Sequence, residues 1–423
     1  MVKELLKFLD ESPTAFGAVS SIVKILEKNG YKKLGNKEVI KGGKYYTTRN
    51  DSSIIAFNIG KKLKEPAMHV CASHTDCPSF KLKPNPIIKS PYGCKLNLEV
   101  YGGILTRAWF DRPLSIAGRV MVNSAKGIKP TTYIDEKPFC IMPSMAPHLG
   151  RTLEDSKANV AVDMVPIISL DDKFDFNEYL AKNLKVKKED ILGFDLYLYP
   201  LEKGYMWGQK NEFITSGHID NLECAYTSLM GFIDNFNDNN INVYASFDNE
   251  EVGSLTRQGA DSNFFEDLFT RICCDLKLDY LDVLDRSILL SCDNAHGIHP
   301  NHVELYDKDN APVLNQGVVI KYNAAQSYTT DSLSGALFMK LLKDNKVDYQ
   351  VFANKTGTRG GGTLGNIFTR HLSMMSVDIG LAQWAMHSPV ETAGSKDIKT
   401  MIDACECFYK AHLSIKDNTY KLD

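Results

Sequence analysis

No C-x-x-C pair occurs anywhere in the 423 residues, which excludes the usual zinc-knuckle and dithiol-redox layouts. The ten cysteines stand singly apart from Cys273-Cys274 and Cys405-x-Cys407. Several, Cys71 and Cys292 among them, sit in apolar strand-like runs where a reduced thiol packs as a small hydrophobe, so no disulfide framework is expected. A Lys/Arg-rich stripe is also missing, and a formal net charge of −3 argues against a nucleic-acid partner. No apolar run is long enough to span a bilayer. The opening Met1-Val2-Lys3-Glu4-Leu5-Leu6-Lys7 lacks the apolar core of a signal peptide, so the expectation is a cytoplasmic protein with no membrane partner. Neither internal repeats nor low-complexity tracts appear.

What is present is a long chain with two textures. Ser12-Pro13-Thr14 followed by Phe16, Val19, Ile22, Val23 and Leu26 predicts a capped amphipathic helix stopped at Asn29-Gly30. Residues 54–59 and 68–72 read as strands. From 92 to 213 the pattern turns β-rich: Leu96, Leu98 and Val100 alternate, and 116–122 and 196–199 read as strands around one polar helix at 174–184. From 214 onward strands alternate with helices: a helix through Leu222, Ala225, Leu229 and Ile233, strands at 241–247, 288–291, 318–322, 349–353 and 375–379, and a helix at 333–342. This predicts a three-layer αβα domain on a mixed, mostly parallel sheet, formed by 1–91 and 214–423. Residues 92–213 would be an inserted β-rich domain serving oligomerisation and substrate access. Ligands of such a sheet gather at the carboxyl ends of its strands.

Those strand ends carry the chemistry. His74 and Asp76 follow Val70-Cys71-Ala72-Ser73, and Asp220 precedes the helix at Leu222. Glu250 and Glu251 follow the run ending in Phe247, Asp293 follows Cys292, and His387 lies in Ala385-Met386-His387-Ser388-Pro389. Each has an ordinary structural reading: Asp220 as a helix cap, His387 as a turn histidine, the Glu pair as solvated surface. Together, two imidazoles and several carboxylates on separate strands fit two divalent ions, Zn²⁺ before Mn²⁺ or Co²⁺. A dinuclear centre needs a carboxylate that bridges ions about 3.5–4 Å apart and a water activated between them. Asp220 suits the bridge, Asp76 would fix the tautomer of His74, and Glu250 would be the general base. The glycine cluster Gly357-Thr358-Arg359-Gly360-Gly361-Gly362-Thr363-Leu364-Gly365 lacks the G-K-[ST] of a phosphate loop and suits close backbone approach to a peptide.

With these motifs in order the chain resembles the aspartyl aminopeptidase family of dinuclear metallo-aminopeptidases. The likeness also covers Ser12-Pro13-Thr14-Ala15-Phe16, Thr106-Arg107-Ala108-Trp109-Phe110-Asp111-Arg112, Asp293-Asn294-Ala295-His296-Gly297 and Met386-His387-Ser388-Pro389-Val390-Glu391. It implies that His74 and Asp293 hold one ion, Glu251 and His387 the other, and Asp220 both, with Glu250 handling the proton. It further implies that His296, Lys321 and Tyr328 contact substrate. His148, in Pro147-His148-Leu149-Gly150-Arg151, would be lent to a neighbouring subunit within a homo-oligomer, a tetrahedral dodecamer. The implied reaction is removal of N-terminal residues, preferably Asp or Glu, from peptides. The segment from Arg359 to Asn366 departs from the family pattern in the substrate wall, which leaves open the same centre with broad or different N-terminal specificity of the glutamyl or deblocking type. The rival from another class is a non-catalytic shell protein keeping the fold, against which the intact ligand set argues.

Overall fold

The computed structural model describes residues 1–149, 158–358 and 360–423. Its central nine-stranded sheet runs in the order Lys32–Lys33, Gly43–Arg49, Ser53–Ile59, Asn240–Phe247, Ala67–His74, Ile288–Cys292, Met375–Gly380, Val318–Tyr322 and Tyr349–Ala353. The four strands Asn240–Phe247, Ala67–His74, Ile288–Cys292 and Met375–Gly380 are neighbours and mutually parallel, so their carboxyl ends share one edge. Antiparallel pairs flank them on both sides. Ala67–His74 and Asn240–Phe247 are buried at every position, as strands covered on both faces must be.

Side-chain alternation divides the core between those faces. Cys71, Tyr244, Leu290 and Val377 pack with helices Val2–Asp10, Ala15–Lys28, Ile219–Phe232, Ser332–Asp344 and Asp397–Lys410. Val70, Ala72, Val243 and Leu289 pack on the other face with Phe264–Leu276, Tyr280–Asp285 and Leu364–Phe368. Local chemistry starts the helices where the sequence suggests: Thr14 accepts the Gly17 amide, and Asp331 accepts that of Ser334 in a capping box.

A six-stranded antiparallel sheet has its own core, built on Phe80, Trp109, Leu114, Ile116 and Leu196. Its strands run from Ser79–Ser90 to Ile191–Pro200. Residue 92 lies in the turn of a hairpin, because Ser79–Ser90 pairs with Gly93–Tyr101. Tyr205–Trp207 and Phe213–Ser216 join Glu391–Gly394, Ala382–Trp384 and Ala295–His296 in a separate five-stranded sheet. Strands of two to four residues leave no readable alternation, which is why this third sheet has no sequence signal. The polar helix expected at 174–184 spans Phe176–Leu184, capped by Asp175. Among the described residues no helix is long and apolar enough to cross a membrane.

Candidate metal centre

The parallel strand ends deliver the acidic and imidazole groups to one cleft of about 460 Å³. His74, Asp220, Glu250, Glu251, Asp293 and His387 line it together with His296, Lys321 and Tyr328. Asp220 lies between the two imidazoles. Its Oδ1 is 3.6 Å from His74 Nε2 and its Oδ2 is 3.5 Å from His387 Nε2. Glu251 Oε1 stands 3.4 Å from the same His387 nitrogen. Donor atoms of His74, Asp220 and Asp293 lie within 4.8 Å of one another, as do those of Asp220, Glu251 and His387. Two three-donor groups thus share one carboxylate.

The helix-cap reading of Asp220 fails, since no side chain caps Ile219–Phe232 and Asp220 itself has non-helical φ/ψ of −81° and 107°. Its Oδ1 is buried without a hydrogen-bond partner. Three short turns aim the donors. His218, Asn249 and His387 hold positive φ of 63°, 64° and 67°. Such conformations cost a non-glycine residue on the order of 1–3 kcal/mol and persist only where surrounding structure enforces them.

Asp76 meets His74 through its main chain and two turn amides through its carboxylate. The Nδ1 of His74 faces the backbone carbonyl of Asp76 at 3.0 Å, while the carboxylate Oδ1 is 3.5 Å away. The main-chain contact fixes the tautomer that leaves Nε2 free toward Asp220. The Asp76 carboxylate accepts the amides of Glu250 and Glu251, each at 3.1 Å, and the Tyr101 hydroxyl at 2.7 Å. The first N–H groups of the turn Glu250–Val252 have no partner within the turn, and an ionised acceptor is the strongest partner on offer.

So many carboxylates in a buried cleft require compensation. Burial first, then the charges of Asp293, Asp76 and Asp220, push Glu250 up to about 8. Burial and Asp220 likewise hold Glu251 well above the usual carboxylate range. Divalent cations relieve that cost directly. The donor set, the shared bridge and the orphaned Asp220 oxygen all fit a metal pair.

The chain matches the family model of aminopeptidase I zinc metalloproteases (M18) over residues 8–409. It belongs to the M18 aminopeptidase family. It is 43% identical over 410 residues to a probable M18 family aminopeptidase 2 of Clostridium novyi (strain NT), covering 93% of this chain and 95% of that protein. Among solved structures, a chain of the Ape4–Nbr1 complex superposes with a TM-score of 0.92 at 32% identity, over 97% of this chain and 85% of that one. The S. cerevisiae mApe1 dodecamer superposes at 0.85 and 27% identity, over 97% and 96%. The protein is accordingly a metallo-aminopeptidase of the zinc-dependent M18 type, with this cleft as its candidate site.

The remaining substrate candidates take distinct positions around the M18 centre. Lys321 is 2% exposed. Its Nζ donates to the Asn294 carbonyl at 2.7 Å, stands 3.9 Å from Asp293 Oδ1 and lies 5.4 Å from the centre of the Tyr328 ring. Burial alone would pull this ammonium down, but Asp293 and Tyr328 outweigh it and keep the group charged. His296 stands at the open rim of the cleft, where the crowding of the cleft walls, followed by the Lys321 charge, lowers its pKa. His148, exposed in the turn Pro147–Leu149, does not line the cleft of its own chain. Gly150, Arg151 and Arg359 lie outside the described residues. Gly361, Gly362, Thr363 and Asn366 form a wall, held by Asp378, which accepts the Thr363 hydroxyl at 2.6 Å and the Thr329 hydroxyl at 2.7 Å.

Sequence reasoning missed the support beneath the donors. Glu391 is 2% exposed. It accepts the Asp220 amide at 2.9 Å and the His387 amide at 2.7 Å. Gln383 reaches it at 3.3 Å, and Asn294 links Gln383 at 2.7 Å to Glu223 at 2.9 Å. Glu391 had a signal in its place four residues after His387; Glu223 and Gln383 had none.

Proposed function

We propose that the protein removes acidic residues from the N-termini of peptides. The observation that carries this reading is Lys321, a buried ammonium in the wall of the cleft that holds the donor cluster. A side-chain carboxylate on the substrate would meet a charge already desolvated by the fold, where attraction is far stronger than in water.

In this reading His74 and Asp293 would hold one ion, Glu251 and His387 a second, and Asp220 would serve both. The pair, Zn²⁺ by family chemistry, would supply Lewis acidity at the scissile carbonyl and an activated water. Glu250 takes the proton from the attacking water and returns it to the leaving amine. Asp76 and Glu391 keep the donor turns in place. The six-stranded sheet serves assembly, and His148, which does not reach its own cleft, completes a neighbour's site in a homo-oligomer of the kind the yeast dodecamer represents.

The reading is tested by a hydrolysis profile over all N-terminal aminoacyl substrates, with metal content measured on the same preparation. A maximum at Asp or Glu supports it. A maximum at apolar residues transfers the centre to the broader alternative, for which the triple-glycine wall and the existing Lys321–Asp293 contact would be the cause.

A further inference from the structure

Three thiols meet inside the protein, away from the cleft. Cys71 and Cys292 come from neighbouring parallel strands and Cys405 from the helix Asp397–Lys410 that covers that face; all three are 0% exposed. Strand register explains the meeting. Cys71 pairs with Leu290, so Cys292, two residues further on, projects to the same face. Their sulfurs and that of Cys405 all lie within 4.8 Å of one another, and none of the three lines the cleft.

That spacing is what a shared cation requires. Sulfurs bound at about 2.3 Å to one ion in trigonal or tetrahedral geometry stand about 4 Å apart. Soft thiolates select thiophilic ions over hard ones. We propose that Cys71, Cys292 and Cys405 form a structural site for one thiophilic cation of the Zn²⁺ or Cu⁺ class. Binding exchanges thiol protons for the cation and releases them to solvent, and the ion clips the helix Asp397–Lys410 to the sheet. Because the sulfurs are sealed from water, the ion enters while the core closes.

Cadmium serves as the probe. The full chain is expressed in medium containing Cd²⁺, then washed with chelator to clear accessible sites. The expected result is about one cadmium retained per chain, with an ultraviolet sulfur-to-cadmium charge-transfer band that carboxylate and imidazole donors do not give. Cys405→Ser should lose both while keeping its circular dichroism. A band that survives Cys405→Ser, or no band in the unsubstituted chain, overturns the proposal. Cadmium-edge X-ray absorption of the unsubstituted chain decides the matter even if the variant fails to fold: a ligand set of thiolate sulfurs is expected, and one of nitrogen and oxygen alone refutes it.

Discussion

Glu391 Oε2 accepts the backbone N–H of Asp220 at 2.9 Å, while Oε1 of the same carboxylate accepts that of His387 at 2.7 Å. One buried side chain thus ties together two donors that come from opposite ends of the catalytic half of the sequence. Supporting groups of this kind typically carry 10–100-fold in metal affinity. Because Asp220 would serve both ions and His387 only one, Glu391→Ala is expected to weaken the His387 side by roughly that factor and the His74–Asp293 side less. Competitive metal titration would show two weakened equivalents of unequal affinity. Unchanged affinity at both would remove Glu391 from support of the donors.

Asp76 accepts the backbone amide of Glu250 rather than its side chain, so Glu250→Gln leaves that contact in place. Glu250→Gln should retain metal and lower kcat by roughly 10²–10⁴-fold, the usual contribution of a positioned general base. Turnover within twofold of the parent would remove Glu250 from the reaction.

For Lys321 the expected readout is selectivity. Deleting one partner of a buried charge pair costs about 2 kcal/mol or more, roughly thirtyfold in kcat/KM. Lys321→Met should therefore erase the advantage of Asp- over Leu-nitroanilide, largely by losing the acidic substrate. An unchanged ratio places specificity elsewhere in the cleft.

A separate consequence concerns acid stability. His69 is fully buried in the central strand, with Nδ1 2.9 Å from the Phe408 carbonyl and Nε2 unpartnered. Burial lowers its pKa from 6.5 to about 4 against the opposing hydrogen bond. The unfolded chain thus takes up a proton near pH 6.5 that the folded chain refuses until about 4. Stability from this group is full above that window, falls as pH drops through it, and is level below it. The loss amounts to about 3 kcal/mol. Denaturant unfolding of metal-stripped protein across this range should show His69→Gln, which keeps a donor for Phe408, losing correspondingly less than the parent. Parallel curves would contradict the assignment.

The donors were legible because strands read clearly when buried on both faces, and His74, Glu250 and Asp293 stand directly beyond such runs. Lys321 and Tyr328 needed the family likeness, since a lysine ending a strand has no intrinsic mark of burial. For Asp76 the spacing shows its nearness to His74, whereas its contacts with the amides of Glu250 and Glu251 come from a segment distant in sequence. The thiol trio was unreadable for the same reason: Cys405 approaches Cys71 only through packing of the last long helix.

The central claim is that two cations share Asp220. Crystals of the zinc-loaded protein, measured on both sides of the zinc absorption edge, test it directly. Two anomalous peaks about 3.5–4 Å apart are expected in the cleft, one beside His74 and Asp293, the other beside Glu251 and His387, with Asp220 reaching both. A cleft with a single peak, or with none while zinc appears elsewhere, would contradict the account.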